Sequence, residues 1–446
     1  MTRQMKSSGV EWIGDIPEKW DVCKTFRLLS MPITDGPHET PFFVDEGIPF
    51  ISAEAISSGN GLINFSNKRG YISEDYYKEC CKKYTPQVDD IYMIKSGATT
   101  GRVAYVSNDI DFKFTIWSPL AVFRVNKQLS YPKYVYYFLL SDSYQKQIET
   151  KWSYGTQQNI GMRNIEKLFV CIPPFFEQKE IADYLDAKCA KIDAFIAKQK
   201  TVIEKLKEYK QSVITEAVTK GLNPAAPMKT SGVEWIGEIP ENWDVKKTLS
   251  CLSMPITDGP HTTPELLSEG VPFVSAEAVS SGSGKIDFAH IRGYISEAFY
   301  NECCKKYIPQ KNDIYMIKSG ATTGKVAVVD TDIRFTIWSP LAVFRANPDK
   351  IQYKYLYYAL QSHPYQKQIE DKWSFGTQQN IGMRVLEQIK LTVPPLSEQK
   401  KIADYLDKKC SEIDVLIEKK QQFLTELATY KKSMIYEYVT GKKEVA

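Results

Sequence analysis

The sequence predicts a mixed α/β protein in which two homologous globular domains are separated by two long antiparallel coiled-coil helices, with approximate two-fold symmetry. Three observations lead to this fold class. The chain repeats itself once, short punctuated apolar runs fill most of each repeat, and each repeat closes with a long segment of heptad character. A length of 446 residues also calls for more than one hydrophobic core.

The repeat is long and in register. "SGVEWIGDIPEKWDV" at Ser8 returns as "SGVEWIGEIPENWDV" at Ser231, and "DIYMIKSGATTGRVA" at Asp90 returns as "DIYMIKSGATTGKVA" at Asp313. Two copies of so long a segment indicate two copies of one structural unit. The predicted domains are two globular domains at 1–174 and 222–395, each followed by a long helix, at 175–221 and 396–446.

The globular part of each repeat mixes strands and helices between turns rich in Gly, Pro, Asn and Asp. In the first copy, "IPFISAEAI" (48–56) and "PLAVFRV" (119–125) have the composition of strands. "EDYYKECCKKY" (74–84) and "PKYVYYFLLSDSYQKQIE" (132–149) have helical periodicity. The two copies differ in length by two residues between "VSNDIDFK" and "VDTDIR", which predicts a surface loop at 106–113.

The first closing segment contains no Gly or Pro between Glu177 and Gly221, and the second closing segment ends at Gly441. Mostly apolar residues recur in alternating steps of four and three over about five heptads. The two seams are Ile181, Leu185, Cys189, Ile192, Ile196, Gln199, Ile203, Leu206, Lys210, Val213 and Ala217, and Ile402, Leu406, Cys410, Ile413, Ile417, Lys420, Leu424, Leu427, Lys431 and Met434. Each helix could pack only on its own domain, but the short turn after the first favours antiparallel pairing, with the polar seam residues helping to fix its register.

Composition excludes some classes of protein and leaves others open. No apolar run of about 18 residues occurs and the N-terminus lacks a signal-peptide core, so a cytoplasmic protein without a membrane partner is expected. The nine cysteines form no C-x-x-C pair and are expected to be mostly buried free thiols. The net charge of +3 neither requires nor excludes nucleic acid, because a basic face can exist within a balanced total.

No catalytic or metal-binding motif is found. The chain lacks the glycine-rich nucleotide loops, H-E-x-x-H and G-x-S-x-G. His38 and His261 lie near Asp35 and Asp258 in the repeated "DGPH", which could be a catalytic pair but better fits a histidine that caps a turn. "IPPF" and "EQK" resemble methyltransferase and nuclease fragments but lack the residues that complete those sites. We therefore expect no catalytic residue, no metal and no cofactor in this chain.

Two repeated loops offer hydrogen-bonding side chains. "KSGATTG" can place hydroxyls, a lysine and backbone N–H groups on DNA phosphates, or can be a tight hairpin with buried hydroxyls. "GTQQNIG" can read adenine through Gln and Asn, or can cap a helix near Ile160 or brace the domain against its long helix. The candidate DNA-binding residues are Lys95, Ser96, Thr99, Thr100, Arg102, Gln157, Gln158 and Asn159, and their mates Lys318, Ser319, Thr322, Thr323, Lys325, Gln378, Gln379 and Asn380.

The order of "SGVEWIG.IP..W", "ITDGPH.TP", "KSGATTG", "GTQQNI" and "PP..EQK.IA.YLD", twice and each time followed by heptads, resembles the specificity subunit, HsdS, of type I restriction–modification systems. The resemblance covers nearly the whole chain. It implies a subunit without catalysis of its own, whose two target recognition domains each read one half of a split double-stranded DNA sequence. The two similar domains predict a nearly palindromic target.

The resemblance also implies partners and their cofactors. Two HsdM methyltransferase subunits carry S-adenosylmethionine, and HsdR restriction subunits use ATP and Mg²⁺. The alternative from a different class is a non-catalytic two-domain scaffold that binds RNA or protein and uses its helices as a rod.

Overall fold

The computed structural model describes residues 3–154, 158–375 and 379–445. The chain forms two compact units, Met1–Gln199 with Gln422–Ala446, and Lys200–Gln421. Each unit therefore contains one globular domain, the first part of the helix that follows it and the last part of the other long helix. The domain limits 1–174, 175–221, 222–395 and 396–446 stay a prediction, since the compact units divide the chain within the helices.

The first unit contains short strands and helices ahead of a long helix. Its strands are Met5–Ser7, Asp15–Pro17, Asp21–Lys24, Thr34–Asp35, Ile48–Ile51, Gly70–Ile72, Ile91–Ile94, Val103–Tyr105, Thr115–Ile116, Leu120–Phe123, Ser153–Tyr154, Gln158–Asn159 and Phe169–Ile172. Its helices are Thr25–Leu28, Ala53–Ser57, Phe65–Asn67, Glu74–Lys83, Pro132–Leu140, Asp142–Glu149, Met162–Ile165 and the start of the first long helix, Phe175–Lys220.

The second unit repeats this order. Its strands are Met228–Thr230, Glu238–Pro240, Asp244–Lys247, Thr257–Asp258, Val271–Val274, Gly293–Ile295, Ile314–Ile317, Val326–Val328, Thr336–Ile337, Leu341–Phe344, Ser374–Phe375, Gln379–Asn380 and Lys390–Val393. Its helices are Thr248–Cys251, Ala276–Ser281, Phe288–His290, Glu297–Cys304, Tyr353–Gln361, His363–Glu370, Met383–Gln388 and the start of the second long helix, Leu396–Val439.

Each globular domain is built on a four-stranded antiparallel sheet and a three-stranded mixed sheet. In the first unit the four-stranded order is 34–35, 120–123, 91–94, 103–105. In the smaller sheet, strand 48–51 pairs antiparallel with 70–72 and parallel with 115–116. The central strands are buried on both faces, which explains their continuous apolar sequences "IYMI" and "LAVF".

Two elements differ from the sequence prediction. The strand predicted over 48–56 ends at Ile51, because Ser52 is the cap residue of a helix that begins at Ala53, and its carbonyl accepts the Ala55 N–H at 3.2 Å. The helix predicted over 132–149 is two helices, since Ser141 is extended at φ −69° and ψ 150° and its hydroxyl donates to the Phe138 carbonyl at 2.6 Å. The helix predicted at 74–84 is confirmed as Glu74–Lys83, and the strand at 119–125 as Leu120–Phe123.

The long helices pair antiparallel inside each unit, as the seams predicted. In the first unit Tyr184 contacts Tyr438, Lys431 binds Asp193, and the Phe195 and Phe423 rings lie 5.8 Å apart, so one helix rises in number as the other falls. In the second unit Lys210 binds both oxygens of Asp414 at 2.6 and 2.7 Å. Every seam residue is buried or half-buried.

The ends of the helices also follow the prediction. Gly221 and Gly441 have φ of +76° and +70°, the left-handed conformation that glycine supplies after a helix. A Cβ at Gly441 would lie 2.4 Å from the Pro17 ring, so the N-terminal "SGVEWIG" region packs against the end of the second helix. Lys442 donates to the Ile13 carbonyl at 2.8 Å across the same contact.

Candidate nucleic-acid interface

The repeated "DGPH" loop holds one buried carboxylate among three basic side chains. Asp35 is 1% exposed, and its oxygens lie 2.5 Å from the Lys83 ammonium, 3.3 Å from that of Lys95 and 3.2 Å from the His38 ring. In the second unit, the corresponding distances from Asp258 to Lys306, Lys318 and His261 are 2.5, 3.4 and 3.1 Å. The histidines therefore contact a carboxylate rather than only cap a turn.

This arrangement changes the interpretation of the two candidate lysines. Lys95 and Lys318 have side-chain exposures of only 14% and 12%, so little of either side chain is open to a ligand. His38 and Lys83 contact the same carboxylate but are far more exposed, at 71% and 50%. The basic side chains that this loop presents to a ligand are thus His38 and Lys83, which are not among the DNA-binding candidates predicted from the sequence.

The "KSGATTG" segment is a tight turn closed by its own hydroxyl. The Thr100 hydroxyl donates to the Gly97 carbonyl at 2.7 Å, and Thr323 does the same to Gly320. Gly97 has a φ of +103°, a conformation that glycine supplies, and its carbonyl also accepts the Thr100 N–H at 3.1 Å. The hydroxyls of Thr100 and Thr323 thus serve the turn, while Ser96, Thr99 and their mates Ser319 and Thr322 are half-buried beside it.

Strand Ser153–Tyr154 pairs antiparallel with strand Gln158–Asn159, which contains the last two residues of "GTQQN". This strand joins the turn, because Gly97 donates its N–H to the Gln158 carbonyl and Ile160 donates to the Lys95 carbonyl, both at 2.9 Å. The second unit has the same bonds, from Gly320 to Gln379 and from Ile381 to Lys318. The structure therefore joins "KSGATTG" to the described end of the second phrase and, through Lys95 and Asp35, to the "DGPH" loop, and the surface that they form is here called the loop surface.

The alternative of a helix cap near Ile160 does not agree with where the next helix begins. That helix starts at Met162, and its cap residue is Gly161, which has no side chain to bond to the first turn. Asn159 and its mate Asn380 are exposed and Gln158 and Gln379 half-buried, each pair within a strand. The candidates Gln157 and Gln378 lie outside the described residues.

The last two candidates are exposed cations at the end of the turn. Arg102 donates to the Ser57 carbonyl at 2.7 Å, which holds it against the neighbouring helix. Its mate Lys325 is exposed. Both lie beside the loop surface, where a charge-assisted contact to a phosphate is possible.

A second pair of cations was missed by sequence reasoning. The Arg69 guanidinium lies 3.9 Å from the Trp117 ring centroid, and Arg292 lies 4.2 Å from that of Trp338. The Ser118 N–H donates to the Pro37 carbonyl at 3.1 Å, so this stacked arginine adjoins the "DGPH" loop. The repeated "RGYIS" was the available signal, but only the fold places Trp117 beneath the arginine.

The buried network around Asp90 supports the sheet below this surface. Asp90 is 1% exposed and accepts two bonds from Arg124 at 2.8 Å, one from the Tyr84 hydroxyl and one from the Gln87 N–H. The bond to Asp90 raises the pKa of Arg124, and burial raises the pKa of Tyr84 well above its usual value. Both groups therefore keep their protonated forms, and the network is structural.

The nine cysteines are all free thiols, six of them buried. Among the described residues no group of three or more His, Cys, Asp or Glu side chains could hold a metal ion. Within the same ranges, no helix is both long enough and apolar enough to cross a bilayer.

Comparison with known proteins gives a consistent result. The family model described as "Type I restriction modification DNA specificity domain" matches residues 37–205 and 260–426. The putative type I restriction enzyme MjaX specificity subunit of Methanocaldococcus jannaschii is 29% identical over 97% of this chain and 96% of its own. The type I restriction enzyme EcoBI specificity subunit of Escherichia coli is 25% identical over 80% of this chain and 72% of its own.

A solved structure also has this fold. One chain, from work described as the structural basis underlying complex assembly and conformational transition of the type I R-M system, superposes with a TM-score of 0.69. The match covers 96% of this chain and 99% of that one at 16% identity. Both sequence repeats and both long helices therefore fall within the aligned fold.

Proposed function

Because the chain belongs to the family of type I restriction–modification DNA specificity domains, which its two repeats match separately, we propose that it reads a split DNA target with one globular domain per half-site. The single observation that carries this proposal is that both matched segments contain the same loop surface, built from the same residue types. A chain with two equivalent readers is suited to a bipartite target.

Each loop surface offers two kinds of contact. The exposed His38, Lys83 and Arg102 suit phosphate oxygens, which position a protein on a duplex without reading it. Asn159 is exposed at the end of strand Gln158–Asn159, and an amide there can form two hydrogen bonds with adenine. The remaining candidates support the shape of the turn.

The target is proposed to be nearly palindromic. "KSGATTG" and "GTQQNIG" are identical between the copies, so equivalent contacts would be made to each half-site. Two-fold related readers recognise the same sequence on opposite strands. The expected target is a half-site, a non-specific gap and the reverse complement of that half-site.

The chain is proposed to work in a complex in the cytoplasm. Two HsdM subunits with S-adenosylmethionine would methylate adenine, and HsdR subunits with ATP and Mg²⁺ would carry out restriction, while this chain supplies recognition. The family assignment supports DNA recognition over the alternative of an RNA- or protein-binding scaffold.

Selection from a random pool of DNA duplexes tests the proposal. The chain, assembled with its methyltransferase subunit, is expected to enrich two short blocks separated by a constant gap. Asn159→Ala should relax one position in one block and Asn380→Ala the equivalent position in the other, each by about 1–3 kcal/mol. Enrichment of no sequence, as a scaffold would give, or of a single contiguous block would refute the proposal.

A further inference from the structure

Two short runs of consecutive differences interrupt the closely matching stretch from Met31 to Ser73 and its mate in the second copy. "FFVD" at 42–45 stands where the second copy has "ELLS" at 265–268, and "SNK" at 66–68 stands where it has "AHI" at 289–291. On either side, "ITDGPH" and "RGYIS" are identical in both copies. A difference in DNA reading between the two domains must come from exposed residues that differ. These two segments contain the longest runs of differing residues in this stretch.

The fold places the first divergent segment against the strand that follows the second one. Val44 donates its N–H to the Tyr71 carbonyl at 2.9 Å, and Leu267 makes the same bond to Tyr294 at 2.8 Å. The Phe43 ring covers Gly70, where an added Cβ would lie 2.5 Å from it. The backbone is thus the same in both units and only the side chains change; residues 42–45 and 265–268 are here called the tip segments.

The tip segment of the first unit exposes consecutive apolar side chains. Phe42 is 96% exposed, Phe43 42% and Val44 40%. Phe43 and Val44 also contact their own domain, whereas Phe42 is almost fully exposed, and a run of exposed apolar residues marks a contact surface. In the second unit the most prominent position changes in chemistry, because Glu265 replaces Phe42.

The neighbours of the tip segments favour DNA as the ligand. The Lys68 ammonium lies 4.6 Å from the Tyr71 ring, and the stacked Arg69 leads through Trp117 to the loop surface. Asp45 within the first tip segment and Glu46 after it are exposed carboxylates, which do not suit phosphates. Acidic side chains in proteins that bind DNA instead accept hydrogen bonds from base edges.

Resting on the proposed function, we propose that the tip segments each read a base pair and make the two half-sites differ at that position. Phe42 contacts the methyl group of thymine, and Glu265 accepts a hydrogen bond from the exocyclic amine of cytosine. The target is thus a palindrome interrupted at the position read by the tips, while the identical loop surfaces read the same bases in both halves.

The test exchanges the tip chemistry and maps N6-methyladenine in cells that carry the chain and its methyltransferase subunit. Phe42→Glu is expected to change preference about tenfold at one base pair of one half-site, toward the base pair found in the other. Glu265→Phe should make the reciprocal change. The matched control is Leu129→Glu, the same change of chemistry at a residue that is 53% exposed outside the tip, which should leave the motif unchanged.

The outcomes separate this inference from the function on which it rests. A wild-type motif that is not bipartite would refute the proposed function itself. A bipartite wild-type motif that neither tip exchange alters would overturn the inference alone. A tip exchange could instead weaken binding between the chain and its methyltransferase subunit and lower methylation without changing the motif. That result would assign the tip to a protein contact and would also overturn the inference.

Discussion

The ion pair between Lys431 and Asp193 gives a direct test of how the long helices pair in the first unit. The Lys431 ammonium lies 2.7 Å from both carboxylate oxygens, and the two side chains are 23% and 39% exposed. At this separation the attraction in water is about 1.5 kcal/mol. Ordering two flexible side chains reduces the net contribution to about 0.5–1 kcal/mol.

Reversing one charge removes the attraction and adds a repulsion of similar size. Lys431→Asp alone, or Asp193→Lys alone, is therefore expected to lower the free energy of local opening by about 1–2 kcal/mol. The double exchange restores an opposite pair and should recover to within about 0.5 kcal/mol of the wild type. The recovery, rather than the size of each loss, is the sign of direct contact.

Amide hydrogen exchange of the full chain measures this effect. Because about 1.4 kcal/mol is a factor of ten, each single reversal should speed exchange about tenfold in the helical amides near 193 and 431. The pair Lys210 and Asp414 in the second unit is untouched and serves as an internal control. Losses that simply add in the double variant would show that the two residues do not pair and would refute the helix register described here.

Three further results are expected. Asp90→Ala should destabilise the first unit by about 3 kcal/mol, because it leaves the Arg124 guanidinium without its buried partner, and Asp313→Ala should do the same to the second unit. Calorimetry of each variant should show one of two unfolding transitions shifted to lower temperature. An unchanged calorimetric profile would contradict the role of this network. Burial raises the pKa of Cys171 to about 12 and of Cys189 to about 11, from an ordinary value of 9.0. In the unfolded chain these thiols ionise at lower pH than in the folded chain. The contribution of the two buried thiols to the free energy of unfolding is therefore complete below pH 9 and is lost as pH rises toward 11–12. Denaturant midpoints that stay constant over that pH range would contradict this contribution. The purified chain with S-adenosylmethionine and DNA should transfer no methyl group, and transfer in preparations shown to be free of HsdM would contradict the absence of catalysis.

The arrangement of domains and long helices could be predicted because it depends on patterns between residues that are close in sequence and on the internal repeat. The heptad seams need only sequence spacing, and the helices they predicted end at Gly221 and Gly441 with left-handed glycines. The two repeats predicted two equivalent domains by comparison of the chain with itself. The errors at Ser52 and Ser141 arose because a single cap residue begins or ends a helix, and composition alone does not show which serine is a cap.

The candidate site was less predictable because its contacts join distant segments. Asp35 gathers Lys83 and Lys95 from two other parts of the chain, and this pairing buries one lysine that looked available for DNA. The strands Ser153–Tyr154 and Gln158–Asn159 were not predicted, because each is only two residues long. The joining of the tip segments to Tyr71 depends on a backbone bridge that no periodicity encodes.

Methylation mapping tests the central claim most directly. N6-methyladenine is mapped across the genome of a host that carries this chain and its methyltransferase subunit, and across the same host without the chain. One split motif is expected, with an adenine methylated on each strand and a constant gap between two related half-sites. This motif should be absent from the host that lacks the chain. A motif that persists without the chain, or one with no gap, would contradict it.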